Sequence, residues 1–463
     1  MTASPMNVSV IGAGHVGLVA AVSFAEIGHQ VVAVDENAEK IALLLQRVAP
    51  FHEPGLPELL EKNVSEGKLS FSAEIADAVR DAEVVFICVG TPARTSGEAN
   101  LLAVERVARQ IARRLDGERG PVVLVQKSTV PAGTAGRVRR AVRLENPAIA
   151  DRLEVVSNPE FLREGRAVQD SLEPERILVG ADSAHAFEVM RRLNRPLTDK
   201  GCSYIETDIK TAEIAKHASN AFLALKISYA NALARVCELA GADVVQVADI
   251  MGADPRIGRS FLNAGLGFGG YCLPKDIQAF ERLASGWGYD FPMLREVERL
   301  NQEALEGTLR KIREGLWNLE DKRIGLLGLS FKPGTDDVRL APALELAKRL
   351  LREGALVVGY DPEANANAKE ELSDLQIAVD PYEAATGVHC LVVCTEWPEF
   401  RELDLHRLRA VMAYPMVVDG RNLFSRRDMA SAGFIYFPTG RPPVDFDAHL
   451  RGAPRVDVAA GPP

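Results

Sequence analysis

Cysteine is scarce: Cys88, Cys202, Cys237, Cys272, Cys390 and Cys394 are the six in 463 residues, and they lack the dense, regular spacing of a secreted disulfide scaffold. A reducing, cytoplasmic setting follows. No stretch reaches the ~18 uninterrupted apolar residues that a spanning helix needs. Met1 to Ala25 contains no Asp, Glu, Lys or Arg, but the basic n-region of a signal peptide is missing too, and Gly12, Gly14 and Gly17 break the run. Strand, turn and helix are expected there instead. Basic charge is not in excess: 54 Lys plus Arg stand against 64 Asp plus Glu, a net charge of −10. Such a chain has no general attraction for nucleic acid or an anionic membrane, so an anionic ligand requires a local basic pocket. None of the eight histidines lies in a ligand motif, and Cys390 and Cys394 have no matching pair, so no catalytic metal is expected.

What is present is an ordinary globular composition, 47% hydrophobic and 25% charged, in a chain long enough for about two or three domains. The apolar runs VSVIGAG, VVAVD, AEVVFICVG, PVVLVQKS, LEVVSNP and RILVG alternate with helical patterns, as in a parallel sheet covered on both faces. A second series, RIGLLGLSF, ALVVGYD, HCLVVCTEW and MVVDG, begins at Lys322, with a helix expected over Ala341 to Arg352. Between these two α/β lobes, Asp208 to Ala240 has no Pro or Gly and ends at Gly241, which predicts one long helix linking the lobes and offering a dimer contact. The tail from Gly452 is rich in Gly and Pro and is expected to be disordered.

The run Gly12-Ala13-Gly14-His15-Val16-Gly17 follows the first strand, and the next strand ends in Asp35. That context predicts a dinucleotide loop: the glycines permit a tight turn, close approach of a pyrophosphate and helix–strand packing, and the acid bonds ribose hydroxyls. Asp35 would repel a 2′-phosphate, so NAD is favoured over NADP. The loops Gly90-Thr91-Pro92 and Lys127-Ser128-Thr129-Val130-Pro131 also follow strands, where ligands of parallel sheets sit; alone, each is equally a simple turn.

Cys272 lies in the glycine-rich segment from Gly265 to Asp276, and Pro274-Lys275-Asp276 reads as a helix start, which suits a nucleophilic thiol. Cys88, Cys237, Cys390 and Cys394 read as core residues, and Cys202 has no telling context. Lys216 and Asn220 share a face of the long helix inside an apolar stretch, where a lysine either has a partner or snorkels to solvent. Asn158-Pro159-Glu160-Phe161-Leu162-Arg163-Glu164-Gly165 is a loop with two acids, or a surface turn.

Taken together, GAGHVG, GTP, KSTVPAGT, SNPEFLREG, AEIAKHASNAFLALKIS, GFGGYCLPKD and SFKPGTDDVR occur in the order found in the UDP-glucose/GDP-mannose dehydrogenase family, which the chain resembles from Asn7 to about Phe437. The resemblance implies an α/β fold of two Rossmann-like, doubly wound parallel-sheet domains joined by a long central helix. It divides the chain into an NAD-binding domain (1–200), a central helical dimerisation region (201–310), a C-terminal domain for the UDP-sugar (311–451) and a tail (452–463). It implies NAD-dependent four-electron oxidation of a sugar C6 alcohol to a carboxylate, in a cytoplasmic homodimer that supplies uronate for polysaccharide synthesis. By matching motifs, Cys272 is the nucleophile of a thiohemiacetal and thioester, Lys216, Asp276 and Asn220 stabilise the reacting oxygen, Glu160 is the acid/base and Thr129 positions water. Gly12, Gly14, His15, Val16, Gly17, Asp35, Lys40, Thr91, Ser128, Thr129, Glu164 and Arg339 are implied cofactor contacts. Glu160, Phe161, Leu162, Arg163, Lys216, Asn220, Arg256, Asn263, Gly267, Gly269, Phe331, Lys332 and Arg421 are implied substrate contacts, with Arg256 reaching across the dimer.

Tyr271, Leu273 and Leu340 depart from the commonest family pattern and bear on the choice of sugar. The continuation of NPEFLREGRAVQD resembles the branch acting on UDP-glucose; GDP-mannose and a UDP-N-acetylhexosamine are the alternatives. A non-catalytic sensor on the same fold would lack Cys272, Lys216 or Asp276, and all three are present.

Overall fold

The computed structural model describes residues 4–95, 97–115 and 121–444; the tail from Gly452 lies outside them. The chain forms two compact units. The first runs to Leu225 and takes in Gly270–Val297 and Gly334–Asp336; the second holds Lys226–Gly269, Glu298–Pro333 and the chain from Asp337 onward.

The first unit is built on β1 (Asn7–Ile11), β2 (Gln30–Val34), β3 (Leu69–Ser72), β4 (Val84–Ile87), β5 (Val122–Gln126), β6 (Leu153–Ser157), β7 (Arg176–Gly180) and β8 (Ser203–Thr207). Their order in the sheet is β3-β2-β1-β4-β5-β6-β7-β8. Strand order reverses beside β1, the place where a doubly wound sheet opens a crevice for a ligand. Alternate residues feed two cores: Val8, Val10, Phe86 and Val125 enter one, Ile11, Val85, Ile87 and Leu124 the other. The helix Leu102–Arg114 shows the covering logic, since Val104, Val107, Ala108, Ile111 and Ala112 are its buried face. The uncharged N-terminal stretch also finds its reason here. It becomes β1 and the helix His15–Glu26, in which every residue from Gly17 to Ala25 is buried, so no position called for a charge.

One feature departs from the wholly parallel sheet expected from sequence. β7 pairs antiparallel with β6 at Ser157 and Gly180, then parallel with β8. The connection from β6 contains only the six-residue helix Ala167–Leu172. The edge strands β3 and β8 escaped the sequence reading because their residues are mostly half-buried or exposed and so lack the continuous apolar run of the central strands.

The second unit repeats the plan with β9 (Arg323–Leu327), β10 (Leu356–Tyr360), β11 (Gln376–Ile377), β12 (Cys390–Val393), β13 (Met416–Asp419) and β14 (Ile435–Pro438). All are parallel, in the order β11-β10-β9-β12-β13-β14. The long helix is Ile209–Ala240, 32 residues, continuous from the first unit into the second. Asp208 opens it by accepting the Thr211 backbone N–H at 3.0 Å, and Gly241, at φ 72°, closes it. The helix over 341–352 appears as Pro342–Arg352. Cys88, Cys237, Cys390 and Cys394 are buried, as core residues should be, and Cys202 is half-buried. No helix among the described residues is long and apolar enough to cross a membrane.

Candidate active site

In the first unit the glycine loop joins β1 to the helix His15–Glu26. A Cβ on Gly12 (φ 101°) would stand 2.8 Å from the Cys88 carbonyl oxygen, and one on Gly17 would stand 1.7 Å from the Gly12 oxygen. The chain's own packing therefore demands both. Around Gly14 a Cβ would meet nothing within 4 Å, so the bare backbone there serves something other than the fold. No side chain caps the helix, which leaves its N-terminal dipole to a ligand, and Val16 lies in its first turn. His15 stacks on Phe51 at 4.0 Å, a packing role.

Asp35, at the end of β2, accepts the Ala13 N–H at 2.9 Å and the Lys40 ammonium at 2.7 Å on one oxygen, and the Asn37 N–H at 3.0 Å on the other. Burial raises its pKa, but Lys40 and the two backbone amides outweigh it and hold the carboxyl below the usual range. A cavity of about 420 Å³ opens here, lined by Gly12, Gly14, Asp35, Gly90, Arg106 and Gln110 among others. Next in sequence to Gly90, Thr91 Oγ1 donates to the Thr129 carbonyl at 2.9 Å, and Ser128 Oγ donates to the carbonyl of Val89, which lines the cavity, at 2.7 Å. An open glycine cradle, an uncapped helix and a charged carboxylate fit a dinucleotide's pyrophosphate and ribose.

A second cluster in the same unit brings Glu160, Lys216, Asn220, Cys272 and Asp276 together. Lys216 lies 3.1 Å from Glu160 and is buried, so it does not snorkel. Asn158 and Glu160 are buried too, so their loop is no surface turn, and the Leu162 N–H fixes the second Glu160 oxygen at 2.8 Å. Asp276 is held by Asn220 Nδ2 at 2.6 Å and Lys275 Nζ at 2.5 Å. For Lys216, desolvation alone would lower the pKa; Glu160, Asp276 and Cys272 more than offset it and keep the ammonium charged. For Asp276, desolvation raises the pKa, while Lys275, His217 and Lys216 bring it below the ordinary value.

Cys272 is the first residue of the helix Cys272–Gly286, two positions before the expected start, and it is exposed. Its thiol is nonetheless crowded by protein. Desolvation, then Glu160, Glu164 and Asp276, push it up to about 12, against a downward pull from Lys216. Phe161 places its ring 4.0 Å from the Arg176 guanidinium and 5.2 Å from Lys216 Nζ. The Arg163 guanidinium is committed to Asp170 through two hydrogen bonds, at 2.6 and 2.9 Å, and the residue's backbone N–H adds a third at 3.0 Å. Among the described residues no three His, Cys, Asp or Glu side chains are grouped to hold a metal.

The remaining candidates lie in the second unit. Gly267 (φ 110°) and Gly269 leave no room for a Cβ, which would stand 2.7 Å from Asn301 Oδ1 and 2.4 Å from the Leu340 oxygen respectively. Asn263 lies in the same 263–269 segment. Arg421 donates to the Cys394 carbonyl at 2.7 Å, Lys332 lies over the Phe331 ring at 5.4 Å, and Arg339 pairs with Asp337 at 2.5 Å. Arg256 is exposed and paired with Asp254. Leu340 adopts φ 51°, a left-handed conformation that is uncommon for leucine.

Sequence reasoning missed Glu213, His217 and Glu53. Glu53, 2% exposed, accepts the Gly165 and Ala167 N–H groups at 2.8 and 2.7 Å and so closes the loop that carries Glu160. Glu213 and His217 flank Lys216 on the long helix; polar residues at 213, 216, 217 and 220 of an apolar stretch were the available signal.

Comparison with known proteins agrees with this layout. Residues 6–198 match the UDP-glucose/GDP-mannose dehydrogenase family NAD binding domain, residues 210–303 its central domain and residues 325–426 its UDP binding domain. The chain is 41% identical to the UDP-glucose 6-dehydrogenase TuaD of Bacillus subtilis, over 98% of each chain. It is 44% identical to a UDP-glucose 6-dehydrogenase of Rhizobium meliloti, over 94% of this chain and 100% of that one. Among solved structures, a UDP-glucose dehydrogenase from Pyrobaculum islandicum superposes with a TM-score of 0.87 at 37% identity, covering 94% of this chain and 98% of the other.

Proposed function

Because the chain belongs to the UDP-glucose/GDP-mannose dehydrogenase family, we propose that it oxidises the C6 alcohol of UDP-glucose to the carboxylate of UDP-glucuronate, with NAD⁺ as acceptor and Cys272 as nucleophile. The observation that carries this reading is the cluster of Cys272, Lys216, Glu160, Asp276 and Asn220 within one unit, the same unit as the dinucleotide loop. The choice of UDP-glucose is supported by the relatives' names and by the match to a UDP binding domain.

The loop from Gly12 to Gly17, Asp35 and Lys40 would hold the cofactor, which when bound takes up a hydride in each of two oxidations. The charged, buried Lys216 offsets negative charge as the C6 oxygen loses its proton, and Asn220 and Asp276 fix that oxygen's surroundings. Cys272 Sγ bonds to the carbon of the resulting aldehyde, its proton passing to the oxygen. The thiohemiacetal loses hydride and proton to become a thioester, and water then displaces the thiol. Glu160 takes the water's proton. In sum, one alcohol and one water give a carboxylate, two hydrides leave with four electrons, and three protons are released. At a thiol pushed up to about 12 the resting group is protonated, so addition needs a base, and the carboxylates beside Cys272 supply one.

A second copy of the chain is the proposed partner. Phe222, Tyr229 and Val236 are 61%, 51% and 59% exposed at seven-residue intervals on the long helix, the spacing of a helix-pairing seam.

The test is stoichiometric. Limiting UDP-glucose with excess NAD⁺ should yield two NADH per sugar, with GDP-mannose and UDP-N-acetylmannosamine run beside it. Two NADH from one of the others would move the substrate and keep the chemistry, and silence with all three would overturn the reading.

A further inference from the structure

The long helix holds two loops and the helix Cys272–Gly286 from one face. Lys216 and Asn220 hold Glu160 and Asp276. Glu213 and His217 reach the other loop: Glu213 accepts the Gly133 N–H at 2.6 Å and the Ala135 N–H at 3.1 Å, and His217 Nε2 lies 3.0 Å from the Val130 carbonyl oxygen. Both side chains are buried, at 2% and 1% exposure. A carbonyl only accepts, so the imidazole proton sits on Nε2. Burial is the largest influence on this ring and keeps it below its ordinary pKa, with Lys275 and Lys216 acting the same way and Asp276 and the Val130 carbonyl opposing. Nδ1 is sealed from solvent and has no partner among the described residues, so a second proton there would be stranded. Phe280 stacks on the ring at 6.0 Å and sets its plane.

These contacts span residues 130–135, directly after Ser128 and Thr129, whose loop is tied on its other side to Thr91 and Val89. We propose that His217 and Glu213 are positioning residues for the cofactor, fixing the 128–135 loop to the same helix face that presents Lys216. The proposal rests on the reading of Ser128 and Thr129 as cofactor contacts. The helix thereby sets the register between the dinucleotide and the oxyanion cation, a coupling no single motif contains.

Isothermal titration of the full chain with NAD⁺ alone tests this, followed by separate KM values for NAD⁺ and UDP-glucose. His217→Phe keeps the stacked ring and removes the donor; it should weaken NAD⁺ about tenfold and raise the KM for NAD⁺ alike, leaving the KM for UDP-glucose within about twofold. His217→Gln, whose amide can donate in place of Nε2, should recover most of the loss. Glu213→Gln gives up one of two loop contacts and carries the same expectation, about threefold, should His217→Phe fail to fold. NAD⁺ bound by folded His217→Phe or Glu213→Gln as tightly as by the unaltered chain, or both KM values rising together, would overturn the proposal. Absence of NAD⁺ binding by the unaltered chain would instead overturn the parent reading, and this proposal with it.

Discussion

The Lys216 ammonium stands 3.1 Å from the Glu160 carboxylate with both side chains almost wholly out of water, 5% and 7% exposed. Surface ion pairs contribute little, but removing one partner of a buried pair strands the other charge and costs about 3–5 kcal/mol. Lys216→Met should therefore lose stability of that order in denaturant titration and lower NADH production by at least about a hundredfold. The pKa of Lys216 is raised, so its contribution is fully present below the unfolded lysine value of ~10.4 and is lost as pH rises through the folded value. The stability gap between wild type and Lys216→Met should hold steady from about pH 6 to about pH 9 and narrow above ~10.4. A gap that widens in alkali would contradict the pairing.

Cys272 is exposed, yet its thiol is pushed up to about 12. Below its pKa a thiol's thiolate fraction grows tenfold per pH unit, so alkylation of the free protein by iodoacetamide should climb about tenfold for each unit from pH ~7 to ~10 without levelling. A plateau near pH ~8.5 would mean an ordinary thiol. Four of the other cysteines are buried, and a Cys272→Ala protein supplies the background from Cys202. The same protein should lose at least about a thousandfold in turnover if the covalent step carries the second oxidation.

The helices and central strands were legible because their signals are local. Gly12 and Gly17 answer to neighbours a few residues away or on the adjacent strand, and Asp35 follows from the strand that ends there. The long helix was readable from an absence of Pro and Gly together with its two ends. The reversal at β7 was not, because it depends on how the 158–175 connection folds back onto the sheet, and no periodicity encodes that. Lys216 and Asn220 could be paired by spacing, whereas their partners Glu160 and Asp276 lie 56 positions away in sequence, 160 and 276 against 216 and 220. Glu53 was invisible for the same reason: it fixes a backbone turn more than a hundred residues away.

Asp35 is held charged by Lys40 and two backbone amides, and it faces the cavity beside Gly14. Asp35→Ala removes the carboxylate and frees Lys40 from its 2.7 Å contact. NAD⁺ affinity should fall about tenfold, and the preference over NADP⁺ should narrow, since the repulsion of a 2′-phosphate is gone and a cation has been released. Parallel KM measurements with the two cofactors check this; an unchanged ratio would remove Asp35 from the ribose site.

The seam of Phe222, Tyr229 and Val236 offers a different test, because it concerns a surface and not a reaction. Three large apolar side chains, each more than half exposed, recur at the interval that keeps one face of a gently supercoiled helix toward a partner, and Leu239, 74% exposed, extends the row. Left in water they would be a liability; covered by the same seam of a second copy they become an isologous interface. Tyr229 is the middle member, where a charge would be most completely buried by pairing. Tyr229→Glu should therefore shift the light-scattering mass from twice that of the chain to that of the chain, while Arg143→Glu, exposed on the separate helix Thr134–Glu145, should not. If both proteins keep the mass of the unaltered chain, the seam is not where two copies meet.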